Sequence, residues 1–269
     1  MEISLSTKIL WQTNLIEALK LIKEKGYYGA EIWENQIQRD IKDLSWFKKY
    51  LQQSGLEITL HSISDDINLC STNRKIREVS LKQVEESIKL ASRLDIRIIT
   101  IHPGRKTSSK DDLDHIWEIQ LDSFNALVKI AEEYNVLLGI ENMEFRTKEM
   151  VIFPQDINKL VSSLRSKQVG ITLDLAHIAT INNFSVNKYI SELKEKIIHV
   201  HLSDSNRTAT HLPLGWGKLN LKEMLLDLQK KYDKNVVIEG YVPDREMEVL
   251  ENNIHIWQKI WKDKREKLN

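Results

Sequence analysis

The segment GITLDLAHIAT, residues 170–180, is apolar until Asp174 and then places His177 three residues further on. An acid where an apolar strand stops, with a histidine one helical turn beyond, is a pairing that can hold a cation or exchange protons. Five other apolar runs stop in the same way, at His61, His102, Glu141, His201 and Glu239. Taken singly, an acid before a helix can be a cap, and a lone histidine can satisfy a backbone carbonyl. Brought into one place, three carboxylates would repel and raise each other's pKa unless a cation neutralised them. A divalent metal is then the economical explanation.

Whether these residues meet depends on the elements that carry them. Eight short β-rich runs recur: 2–6, 29–33, 57–61, 97–102, 136–141, 169–174, 197–201 and 235–239. Between them lie stretches of helical period, such as Leu81, Val84, Ile88, Ala91 and Leu94, and later Leu113, Ile116, Phe124, Val128 and Ala131. Strict alternation implies parallel strands with right-handed crossovers, and eight such units in 269 residues predict a single (β/α)8 TIM barrel domain covering 1–269. The C-terminal strand ends of such a barrel ring one bowl, which gathers the six residues above. The N-terminal ends (Glu2, Glu57, Arg97 and Asn235 among Val136, Val169 and Ile197) hold no comparable set. The polar connection at 203–220, SDSNRTATHLPLGWGKLN, is long enough to fold over one face of the barrel.

Bulk properties narrow the partners. Lys plus Arg and Asp plus Glu both number 39, so the balance gives no electrostatic reason to expect nucleic acid or an anionic membrane. No run reaches the ~18 apolar residues of a spanning helix, and MEISLSTKIL is not a basic leader followed by an apolar core. With Cys70 as the single cysteine, a cytoplasmic protein is expected. Trp11, Trp33 and Trp216 follow the first, second and seventh runs and can line the bowl, stacking on the apolar face of a bound molecule, or simply pack. Arg105 and Lys106 can meet a substrate phosphate or be solvated. Oligomeric state is left open, a homo-oligomer included.

The motifs LHS, IHPG, IENM, LDLAH, HVHLSD, HLPLGWG and VIEG, in this order over nearly the whole chain, resemble those of the sugar phosphate isomerase/epimerase group. That group lies within the xylose-isomerase-like TIM barrel superfamily, which also contains endonuclease IV. The resemblance implies one divalent ion (Mn²⁺, Mg²⁺, Co²⁺ or Zn²⁺) on Glu141, Asp174, His201 and Glu239. It also implies substrate contacts from His177 and Arg207, while His61 and His102 are placed for substrate or for a second metal. Endonuclease IV, a zinc phosphodiesterase acting on abasic DNA, is the rival. His177 and His211 match its third-zinc histidines, but Ala209 stands where it has a carboxylate.

The expected chemistry is isomerisation or epimerisation of a small carbohydrate, phosphorylated or not. A divalent ion chelated by a carbonyl and its neighbouring hydroxyl acidifies the C–H between them and stabilises an enediolate. Glu141 and Glu239, on distant strands, are the expected catalytic pair that removes and delivers the proton. A dehydratase on the same scaffold shares the first step.

Overall fold

The computed structural model describes residues 1–182, 185–193, 196–206 and 209–266, with side chains to 261. Eight strands pair in chain order, all parallel: β1 (Glu2–Ser6), β2 (Gly29–Trp33), β3 (Glu57–His61), β4 (Ile98–Ile101), β5 (Leu137–Glu141), β6 (Val169–Asp174), β7 (Ile197–Leu202) and β8 (Asn235–Ile238). Closure comes from β1 lying beside β8, Ile3 opposite Val236 and Leu5 opposite Ile238. The expected (β/α)8 TIM barrel is therefore present, and each predicted strand lies within a residue of its expected bounds.

Helices follow where the apolar stripes place them. The longest are α4 (Arg74–Arg93), α5 (Leu113–Tyr134) and α10 (Glu246–Glu266). The first two start at caps the sequence supplies: the Asn73 side chain accepts from Lys75 N, and that of Asp112 from Asp114 N. Val84, Ile88 and Ala91 of α4, and Ile116, Phe124 and Ala131 of α5, are fully buried on the barrel-facing side. Among the described residues no helix is long and apolar enough to cross a membrane.

Among the strand ends that differ from expectation by one residue, two matter to the site. His102 lies just beyond β4 because Pro103 follows it, and proline has no N–H to extend the ladder. Glu239 lies just beyond β8, yet its backbone N–H still donates to Leu202 O at 3.1 Å, which holds it at the rim. The described residues of the 203–220 connection gather around Asp204, which is buried. Asp204 Oδ1 accepts from Ser205 N (2.7 Å) and Leu219 N (3.1 Å), and Oδ2 accepts from Gly215 N (3.0 Å). Gly217 permits this packing, since a Cβ there would lie 2.1 Å from Asp204 Oδ1.

Candidate metal centre and cavity

Glu141 and Asp174 close β5 and β6, His201 is the last residue but one of β7, and Glu239 follows β8; a donor atom from each lies within 4.8 Å of the others. His201 Nδ1 stands 3.0 Å from Glu141 Oε1 and 3.2 Å from Glu239 Oε2. Two buried oxygens of the cage, Asp174 Oδ2 and Glu239 Oε1, have no hydrogen-bond partner among the described residues. Buried carboxylate oxygens are rarely left so unless a bound ion or water completes them. Donors of this kind, three carboxylates and one imidazole, fit a divalent cation.

The electrostatics point the same way. Burial by itself lifts a carboxyl, but the charge of His201 outweighs it at Glu141, held well below the usual carboxylate range, and at Glu239, held below it. Asp174 is answered less strongly by His177 and His211, so burial leaves its pKa raised. Burial lowers His201, but Glu239, Glu31 and Glu141 more than reverse this and hold it well above the ordinary imidazole value. Three carboxylates thus lean on one imidazolium, a role a divalent ion fills with twice the charge.

Asp174 answers to both of its possible readings, one per oxygen. Oδ1 caps the single turn α7 (Leu175–Ile178) by accepting from His177 N at 2.7 Å, and Oδ2 faces the cage. Its backbone is clamped by Asn142, whose Nδ2 donates to Asp174 O (3.0 Å) and whose Oδ1 accepts from Asp174 N (2.8 Å). The Asn142 carbonyl also meets His177 Nδ1 at 2.7 Å. Donation from that nitrogen leaves His177 Nε2 for the cavity, 3.2 Å from His211 Nε2.

A cavity of about 450 Å³ opens above the cage, lined by Trp33, His61, His102, His177, His211 and Tyr241 among others. His102 Nε2 lies 3.0 Å from Glu141 Oε2, with His61 Nε2 at 4.0 Å, so these two histidines and Glu141 form a second cluster beside the first. Trp33 stacks on His61 with centroids 4.1 Å apart and is pinned by Nε1–H donation to Ser6 Oγ at 3.0 Å. Trp11 meets Trp33 edge-on at 6.5 Å and is not among the cavity-lining residues. Trp216 packs against Arg245. Arg105 lines the cavity, whereas Lys106 does not; Arg207 lies outside the described residues.

Sequence reasoning missed four participants. Asn142 was visible only as part of IENM. Glu31 and His199 lie inside the barrel beneath the cage, and their signals were an acid within the apolar run GAEIW and the two-residue spacing of His199 and His201 on one strand face. Glu144, on another loop than Ala209, approaches His177 and His211 within 4.8 Å. It is already engaged by Arg146 and by the Thr210 hydroxyl.

The sequence model for the xylose isomerase-like TIM barrel matches residues 19–264. An uncharacterised protein of Methanocaldococcus jannaschii is 31% identical over 234 residues, covering 86% of this chain and 88% of its own. A probable endonuclease 4 of Ureaplasma parvum is 22% identical over 176 residues, 59% of this chain and 56% of its own. Among solved structures, a D-tagatose 3-epimerase-like protein superposes with a TM-score of 0.87 over the full length of both chains, at 24% identity.

Proposed function

The chain belongs to the xylose isomerase-like TIM barrel family, and on that premise we propose that it is a metal-dependent sugar epimerase or isomerase working by proton transfer. The observation that carries the proposal is the cage itself: Glu141 and Glu239 reach His201 Nδ1 from two strands, at 3.0 and 3.2 Å, beneath a cavity of sugar size. Glu141, Asp174, His201 and Glu239 would hold the ion. When bound, the ion supplies Lewis acidity toward a carbonyl and its adjacent hydroxyl.

The protein's own groups do the rest. Glu141 and Glu239 approach the floor of the cavity from different sides, so that one takes the proton from the tetrahedral carbon and the other returns a proton to the opposite face of the planar carbon left behind. His177 presents Nε2 to substrate oxygens because its Nδ1 is held at Asn142 O. Trp33, fixed against His61 and Ser6, offers an apolar wall for the non-polar face of a sugar ring. Arg207 completes the proposed substrate contacts, whereas Trp11 stands behind Trp33 and outside the cavity wall. The likeness to a D-tagatose 3-epimerase-like protein supports a sugar as substrate.

The reaction is tested by turnover in D₂O of a panel of ketoses, aldoses and their phosphates, with Mn²⁺ supplied. Solvent deuterium at the inverted or transferred centre is the expected result. Conversion that retains the substrate's own hydrogen refutes the two-glutamate proton transfer. Cleavage of abasic DNA, with about three metals per chain, would instead establish the phosphodiesterase.

A further inference from the structure

One layer beneath the cage, Glu31 is wholly buried in mid-strand β2. Its register partner is Thr59 on β3, just as Trp33 at the rim is paired with His61. Side chains two apart on a strand share a face, so Glu31 lies below Trp33 and His199 lies below His201. The two carboxylate oxygens have separate duties. Oε2 meets His199 Nε2 at 2.7 Å and accepts from the Thr59 and Thr100 hydroxyls at 3.2 and 3.4 Å. Oε1 lies 2.9 Å from His201 Nε2 at an angle outside hydrogen-bond geometry, and neither atom has a hydrogen-bond partner among the described residues. His201 therefore stands between two acidic environments, with Nδ1 toward Glu141 and Glu239 and Nε2 toward Glu31.

We infer that Glu31 is a positioning residue for the metal centre, acting through His201 by accepting its Nε2–H and so keeping the Nδ1 lone pair aimed into the cage. The inference rests on the reading of Glu141, Asp174, His201 and Glu239 as a metal site. A histidine can ligate through Nδ1 only when its proton sits on Nε2, and buried in the barrel that proton needs an acceptor. Glu31 Oε1, 2.9 Å from that nitrogen and likewise without another partner, is the acceptor the barrel offers once the ring turns into line, and its negative charge makes the imidazole a stronger donor to a cation. Without it, the neutral ring is free to carry its proton on Nδ1, where the proton meets Glu141 and Glu239 and blocks ligation. A merely structural Glu31, present as counter-charge to His199, would have no such effect.

The two roles separate in a Co²⁺ titration of the chelator-treated full chain, read by chelator competition and by the visible absorption of the bound ion, with circular dichroism to confirm folding. Glu31→Leu removes both acceptors and is expected to weaken Co²⁺ binding up to about 100-fold, with a changed visible spectrum. Glu31→Gln keeps the shape without the charge and is expected to lose about tenfold, within the range seen when a ligand's supporting partner is removed. His199→Asn leaves Glu31 Oε1 on His201 and is expected to stay within about threefold of wild type, below that same range. Either folded Glu31 variant binding as tightly as wild type, or His199→Asn losing as much as Glu31→Leu, overturns the assignment. Asp174→Asn is the direct-ligand control. If it also binds like wild type, or if wild type binds no Co²⁺, the metal site itself is refuted and this inference falls with it.

Discussion

Asn142→Ala tests how much of the site is built by a single neutral side chain. The substitution removes both bonds to the Asp174 backbone, donated at 3.0 Å and accepted at 2.8 Å, from a fully buried position. The Asp174 N–H is left with no acceptor in a dry environment, at roughly 1–3 kcal/mol, and loss of the second bond adds about 1 kcal/mol. The expected destabilisation is therefore roughly 2–4 kcal/mol, against the 5–15 kcal/mol by which folded domains are usually stable. With a urea slope near 3 kcal/mol/M, the denaturation midpoint should fall by about 1 M. The same clamp holds Asp174 in register with the cage, so divalent-metal affinity should fall alongside stability. A midpoint within about 0.2 M of wild type, too small a shift for an orphaned buried N–H at that slope, would refute the energetic reasoning. A lowered midpoint with unaltered metal affinity would refute the link between the clamp and the cage.

Asp174→Asn separates the two oxygens of that residue: the amide oxygen can keep the cap on His177 N, so thermal stability should change by less than about 1 kcal/mol while metal affinity drops sharply. A large stability loss with metal retained would reverse that division of labour. Gly217→Ala forces a Cβ to within 2.1 Å of Asp204 Oδ1, so the 203–220 connection must shift; turnover should fall with the far-ultraviolet circular dichroism spectrum unchanged, and wild-type kcat/KM would show that the close approach is dispensable. Burial pushes the Cys70 thiol up to about 12. At pH 8 it is protonated and enclosed, so Ellman's reagent should label it only after denaturant is added. Rapid labelling of the native chain would contradict its burial.

The barrel was legible because its repeat runs along the chain: short β-rich runs alternating with stretches of helical period, eight times over. The cage was legible for a related reason. In a parallel barrel every strand finishes at the same rim, so Glu141, Asp174, His201 and Glu239 needed only to lie at strand ends to be neighbours. Relations across the barrel lie beyond what a pattern along the chain can state. Glu31 and His201 are separated by 170 positions, and their 2.9 Å contact exists because closing β1 on β8 brings β2 and β7 to facing sides of one interior layer. Trp33 ends β2 and Trp11 lies beyond β1, and only Trp33 lines the cavity, with Trp11 packed edge-on against it. Glu144, on another loop than Ala209, reaches His177 and His211 because the two loops lean over the same rim. Residue type and strand position set what the rim could do chemically; which atom of Asp174 caps a helix and which is left for a cation was decided only when the backbone of β6 was clamped to Asn142.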